Sequence, residues 1–227
     1  MKKYAVIVAG GSGSRMGTAV PKQFLLLQGR PVLWYTLNTF LSAYEDLVVV
    51  LVVPGSHREA AQAVVAQMGA PERIRVAEGG VTRFDSVRNG LALVEEESVI
   101  AVHDGVRCLA SVELVRRCFA EAGKMGSAIP VVDCKDSVRW IEGEGSRAMD
   151  RSRVKLVQTP QTFLGRLLLP AYRAEYHAGF TDEATVVEAA GHPVHLIEGE
   201  VNNIKITLAA DLVLAGELIS AARGTGG

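Results

Sequence analysis

Cysteine is scarce: Cys108, Cys118 and Cys134 are the only thiols in 227 residues, an odd set with no Cys-x-x-Cys pair. This argues against a disulfide framework and against structural zinc, and leaves buried thiols as the expected state of most of them. The formal net charge is only −1. No global field draws such a chain to nucleic acid or to an anionic membrane, so any cationic site has to be local. Long apolar runs are missing too. The longest, Leu47 to Val53, is far too short to cross a bilayer. Lys2 and Lys3 followed by Tyr4 to Ala9 imitate a signal peptide, but glycines and then Arg15 cut the apolar stretch short. A cytoplasmic protein with neither membrane nor nucleic acid as partner is expected. His192 and His195 stand close together, yet Pro193 separates them and no third metal ligand is near. No internal repeat is present, and a chain of this length suits one substantial core, so residues 1–227 read as one domain.

What the chain does have is glycine at the end of its first apolar strand. Tyr4 to Ala9 runs into Gly10, Gly11, Ser12, Gly13, Ser14, Arg15, Met16 and Gly17, and then Pro21, Lys22, Gln23 and Phe24. Glycine lets backbone N–H groups approach an anion closely, and Arg15 and Lys22 would face whatever those amides hold. The obvious occupant is a polyphosphate. A P-loop is excluded because no Gly-Lys-Ser or Gly-Lys-Thr follows Gly13 or Gly17. A dinucleotide fingerprint fails because Met16 stands where its third glycine belongs and Pro21 interrupts soon after. The second strand, Asp46 to Val53, ends in Pro54 and Gly55 where a ribose-binding acid would stand.

Short Val/Ile/Leu runs alternate with helical patterns. Strands are expected at Tyr4 to Ala9, Asp46 to Val53, Ile74 to Ala77, Val99 to His103 and Ser127 to Val132, with helices near Val32 to Ser42, His57 to Met68, Asp85 to Val94 and Val112 to Ala122. This is the pattern of an α/β fold with a mostly parallel sheet covered on both faces, whose ligands bind at the carboxyl ends of the strands. Between Asp133 and Gln158 the alternation lapses into an extended hairpin: Ser137 to Ile141, a turn at Glu142 to Ser146, and Val154 to Gln158. Two strands alone are marginal in water, which makes a partner subunit plausible. Helices at Leu164 to Ala174, Asp182 to Ala190 and Ala209 to Ala222, strands at Val194 to Glu198 and Asn203 to Ile206, and a disordered tail over 223–227 complete the expectation.

Three further groups fall where such a fold gathers chemistry. Val99 to His103 ends in Asp104, followed by Gly105, Val106 and Arg107, so that a carboxylate could hold hydrated Mg²⁺ against phosphate oxygens while the arginine takes a second anion. Gly79, Gly80, Val81, Thr82, Arg83, Phe84, Asp85 and Ser86 open a helix, where backbone donors and the Ser86 hydroxyl could grip a base or phosphate. Lys205, within Asn203 to Thr207, adds an ammonium if the sheet brings it near.

Taken together, these motifs with Thr159-Pro160-Gln161 and Thr181-Asp182-Glu183 resemble the 2-C-methyl-D-erythritol 4-phosphate cytidylyltransferase family, in order and over nearly the whole chain. The resemblance implies a Rossmann-like sheet of the nucleotide-diphospho-sugar transferase type with a protruding β-hairpin arm over 134–158 that reaches across a homodimer. It implies transfer of CMP from CTP to 2-C-methyl-D-erythritol 4-phosphate, with release of pyrophosphate, in the non-mevalonate isoprenoid pathway, and Mg²⁺ or another divalent cation at Asp104. By the same resemblance Ala9, Gly10, Gly11, Gly13, Gly80, Ser86 and Gly105 contact the nucleotide, and Arg15, Lys22 and Lys205 offset charge on the transferring phosphoryl group. Asp104, Arg107, Ser137, Arg151, Thr159 and Thr181 serve the acceptor, Arg151 and Thr159 in the neighbouring subunit's site. A phosphate monoester is already anionic, so the reaction needs no general base. The chain departs from the family pattern at Gly10, usually Ala, at Gly105-Val106, usually Ala-Ala, at Cys108, usually Pro, and at Ser137, often Thr. None of these removes a functional group. A ribitol 5-phosphate cytidylyltransferase shares the motifs and is the alternative.

Overall fold

The apolar runs become strands and the periodic segments between them helices, in a computed structural model that describes residues 1–11 and 20–224. In chain order these are β1 (Lys2–Val8), β2 (Leu26–Leu27), β3 (Arg30–Pro31), α1 (Val32–Ala43), β4 (Leu47–Val53), α2 (Arg58–Val65), β5 (Ile74–Glu78), α3 (Arg83–Leu91), β6 (Ser98–Asp104), α4 (Val112–Met125) and β7 (Ser127–Asp133). They continue with β8 (Val138–Glu142), β9 (Gly145–Met149), β10 (Lys155–Val157), β11 (Gln161–Leu164), α5 (Gly165–Ala171), α6 (Glu183–Ala189), β12 (Leu196–Glu198) and α7 (Ala209–Gly224). The main sheet runs β10-β7-β11-β6-β1-β4-β5, with β12 added on β7. β6, β1, β4 and β5 are parallel to one another, as expected of a doubly covered sheet.

Successive side chains of a strand point to opposite faces, and β1 shows why its run is apolar throughout. Ala5 and Ile7 enter a core with Leu33, Leu37 and Phe40 of α1 and Leu114 and Cys118 of α4. Tyr4, Val6 and Val8 enter the other core, with Phe84 and Val87 of α3, Leu168 of α5 and Val186 and Val187 of α6. Each fully buried side chain of this size contributes about 1.5–3 kcal/mol, so neither face tolerates a polar residue cheaply. Local signals set the helix ends. Ser111 accepts from the Leu114 N–H to start α4, and Gly126, at φ +92°, ends it in a conformation that favours glycine. Cys108 and Cys118 are buried free thiols, and burial pushes both up to about 12.

The second half of the chain departs from the sequence reading in four places. β8 pairs with β9, not with Val154 to Gln158: the turn falls within the expected Glu142 to Ser146, but the returning strand begins at Gly145, so the hairpin is shorter. β10 instead returns to the main sheet antiparallel to β7. β11, unforeseen, lies antiparallel between β6 and β7, where a helix from Leu164 was expected to follow directly. Asn203 to Ile206 is not a strand: the Ile206 N–H donates to the Val106 carbonyl, but no ladder follows. Its anchors are Asn203 and Ile206, both fully buried. α7 extends to Gly224, past the predicted end, and the rest of the tail lies outside the described residues.

Candidate functional site

At the carboxyl ends of β1, β4, β5 and β6 the chain leaves the sheet in loops that enclose a pocket of about 340 Å³. Ala9, Gly10, Gly11, Lys22, Gln23, Pro54, Gly80, Arg83, Ser86, Asp104 and Lys205 all line it. Backbone bonds carry each exit onward from its strand: the Ala9 N–H donates to the Val52 carbonyl at 2.9 Å, Gly79 to Val53 at 2.8 Å and Gly105 to Val8 at 2.9 Å. Gln23, fully buried, donates through Nε2 to the Ala9 carbonyl at 2.9 Å. This bond ties the Lys22–Phe24 turn to the first glycine loop and brings Lys22 to the pocket wall.

The second loop is built around Ser86. Its hydroxyl donates to the Thr82 carbonyl at 2.9 Å and accepts from the Gly80 N–H at 3.0 Å, while Thr82 and Asp85 form a capping box at the start of α3. A Cβ at Gly80 would lie 2.3 Å from that of Asp85, so only glycine closes the loop this tightly. The Ser86 hydroxyl shapes the loop, which leaves backbone groups and the pocket wall to meet a ligand.

Asp104 is the electrostatic centre. Its Oδ1 accepts from Arg83 Nε at 3.3 Å and Nη2 at 3.2 Å, and its Oδ2 lies 2.8 Å from Lys205 Nζ and 3.9 Å from Arg107 Nε. Burial by itself would raise this carboxyl, but Arg83 and Lys205 outweigh it and hold Asp104 well below the usual carboxylate range. Its backbone N–H donates to Thr159 Oγ1 at 3.1 Å. Thr159 is also 3.0 Å from His103 Nδ1, and His103 Nε2 is 3.1 Å from the Arg107 carbonyl. A carbonyl only accepts, so Nε2 carries the imidazole proton and Nδ1 accepts from the Thr159 hydroxyl. Burial pushes His103 down to about 4, against the raising effect of Asp104, so it is neutral at pH 7.

The remaining expected site residues do not line the pocket, although Arg107 and Thr159 touch Asp104. Arg107 donates through Nη1 to the Asn203 carbonyl at 2.7 Å, and Gly105 has its N–H on Val8 and its carbonyl on Thr36 Oγ1; neither lines the pocket. Thr159 lies buried behind Asp104. Ser137, Arg151 and Thr181 are exposed and away from the pocket lining, Arg151 donating to the Lys135 carbonyl at 2.7 Å. Gly13 and Arg15 lie outside the described residues. Arg83 and Glu183 were quoted among the motifs without a role, yet Arg83 joins Asp104 to a fully buried Glu183. A wider groove of about 760 Å³ opens between β7, β10 and β12 near the arm. It lacks the glycine loops and the cluster of cations, which makes the smaller pocket the candidate site.

For a metal, Asp104 is the one carboxylate lining the pocket among the described residues, and both of its oxygens face cations. Among the same residues no three His, Cys, Asp or Glu side chains converge. Mg²⁺ is commonly held by one or two carboxylates plus substrate phosphates, and Asp104 is the carboxylate that could take part, in competition with Arg83 at Oδ1 and Lys205 at Oδ2.

A mostly parallel sheet with two glycine-rich exits, a central carboxylate and flanking cations is a nucleotidyltransferase-like fold. A sequence model of the 2-C-methyl-D-erythritol 4-phosphate cytidylyltransferase (IspD) family matches residues 4–221. The chain is 46% identical over 219 residues to the protein of that name from Bacteroides fragilis, covering 96% of this chain and 100% of that one. Its fold is similar to 4-diphosphocytidyl-2C-methyl-D-erythritol synthase from Anaerococcus prevotii, with a TM-score of 0.83, 28% identity and 96% of each chain covered. It is also similar to 2-C-methyl-D-erythritol 4-phosphate cytidylyltransferase from Thermus thermophilus, with a TM-score of 0.75, 33% identity, and 97% of this chain and 100% of that one covered. The chain belongs to the 2-C-methyl-D-erythritol 4-phosphate cytidylyltransferase family.

Proposed function

We propose that this protein transfers CMP from CTP to 2-C-methyl-D-erythritol 4-phosphate, giving 4-diphosphocytidyl-2-C-methyl-D-erythritol and pyrophosphate for isoprenoid synthesis. The observation that carries the reading is the meeting of Lys22, Arg83, Asp104 and Lys205 with both glycine loops around one pocket. The acceptor phosphate attacks the α-phosphorus of CTP as an anion, so no side chain has to take a proton. The buried, neutral His103 is bonded away from the pocket and leaves that role empty. Catalysis is positioning plus charge stabilisation: Gly10, Gly11 and Gly80 bring backbone close to the nucleotide, and Lys22, Arg15 and Lys205 offset charge on the phosphoryl group as pyrophosphate leaves. A divalent cation would be held by Asp104 with the triphosphate and would neutralise phosphate charge.

The protein is further read as a cytoplasmic homodimer. The arm of β8 and β9 exposes Trp140 and Ile141, and the groove near its base exposes Leu156, Leu196 and Val201. A second copy covering these apolar residues would let Arg151 serve the neighbouring site, with Arg107, Ser137 and Thr181 on the acceptor side, whereas Thr159, buried behind Asp104, cannot reach a partner. Pyrophosphate release tests the reading, with each nucleoside triphosphate in turn and methylerythritol phosphate against ribitol phosphate. Turnover should require CTP and prefer methylerythritol phosphate by at least about a hundredfold, within the range that unpaired polar groups give. Equal or faster turnover with ribitol phosphate, or none with CTP, overturns it.

A further inference from the structure

Glu183 is completely buried, and the proposed chemistry gives it no part. Its carboxylate accepts from Arg83 Nη1 at 2.6 Å and Nη2 at 3.1 Å, and the Tyr172 hydroxyl donates to it at 3.1 Å. The Tyr172 ring stacks on Phe84, the residue after Arg83, with centroids 4.7 Å apart. Glu183 itself is fixed at the first turn of α6. The Asp182 and Thr185 side chains form a capping box there, and Gln161 of β11 accepts from the Ala184 N–H at 2.8 Å and donates to Asp182 at 2.9 Å.

Burying an ion pair seldom stabilises a fold beyond what apolar residues of the same volume would do. The rationale for this pair lies on the other edge of the guanidinium. Arg83 grips Glu183 through Nη1 and Nη2, and it turns Nε and Nη2 to Asp104 Oδ1 in the pocket. A guanidinium is planar and its donors form a rigid fork, so fixing one edge fixes the other. Asp104 Oδ2 is thereby left pointing at Lys205.

We infer that Glu183 is a positioning residue, which through Arg83 sets the orientation of the Asp104 carboxylate and of the Lys205 ammonium paired with it. This rests on the cytidylyltransfer reading. A half-buried arginine anchored on a fully buried carboxylate is an elaborate way to hold one other carboxylate, and it makes sense if a small rotation of Asp104 slows turnover.

The test is steady-state kinetics with CTP and methylerythritol phosphate, alongside calorimetric CTP binding without acceptor and circular dichroism to count folded protein. Glu183→Gln should bind CTP within about threefold of the parent while kcat per folded molecule falls at least about tenfold, equal to about 1.4 kcal/mol. Arg83→Lys should fall similarly, and the double variant should be no slower than Arg83→Lys alone, because both changes break one chain of contacts. Glu183→Asp keeps the charge, shortens the reach and stands in if Glu183→Gln does not fold. Its kcat should fall about threefold or more, since misplacement by about an ångström is costly. A purely structural Glu183 would lower stability but leave kcat per folded molecule unchanged. A folded Glu183 variant with kcat within twofold of the parent, or losses that multiply in the double variant, overturns the inference. An inactive parent would instead overturn the cytidylyltransfer reading.

Discussion

Replacing Thr159 by valine should destabilise the fold far more than its size suggests. The two side chains are nearly the same shape, and residue 159 is buried, so the change is essentially a hydroxyl removed from a dry site. That hydroxyl accepts from the Asp104 N–H at 3.1 Å and donates to His103 Nδ1 at 3.0 Å. Valine satisfies neither. An orphaned buried group costs about 1–3 kcal/mol, so the pair together should cost about 2–4 kcal/mol after local relaxation. Urea unfolding should show a lower midpoint at unchanged slope. For a chain of this length the melting temperature should fall by roughly 5–12 °C. Thr159→Ser keeps the hydroxyl and should lose about 1 kcal/mol or less, the cost of a methyl group. A loss below about 0.5 kcal/mol in Thr159→Val would refute the reasoning, since it lies far under the cost of even one orphaned group.

His103 makes stability fall in acid. Its folded value, about 4, lies below the ordinary 6.5, so between these limits the unfolded chain binds the extra proton. Stability therefore rises with pH across that window, by up to about 1.4 kcal/mol per unit, and His103→Asn should flatten the slope in urea titrations. The two glycine departures should behave oppositely. A Cβ at Gly10 meets Pro54 Cδ at an ordinary 4.0 Å, so Gly10→Ala should be neutral or gain about 0.4–1 kcal/mol. At Gly105 it would lie 3.0 Å from the Ala9 Cβ and 3.3 Å from Leu33 Cδ1, so Gly105→Ala should cost about 1–3 kcal/mol by thermal unfolding.

Most of the pocket could be read from the chain because its walls follow apolar strands. β1, β4 and β6 are buried on both faces, so their runs are continuous; the first glycines follow just after β1, and Asp104 closes β6. β9 left no such trace: Gly145–Met149 is exposed on both sides and has no apolar alternation. β11 is only four residues long and carries Gln161 and Thr162, polar residues whose burial depends on tertiary contacts. Asn203 to Ile206 alternates as a strand does, but its buried residues serve as anchors for the loop that carries Lys205. The partnership of Arg83 with Glu183 joins residues 100 positions apart, and no local spacing encodes that.

The central claim is that Lys22 stabilises charge on a CTP phosphate while the acceptor attacks. Its most direct test is pyrophosphate release by Lys22→Ala at saturating CTP and methylerythritol phosphate, with circular dichroism on the same sample. The account predicts an intact fold and a kcat reduced by roughly a hundredfold or more, the effect of losing one preorganised charge-stabilising donor. Near-normal turnover by the folded variant would contradict it.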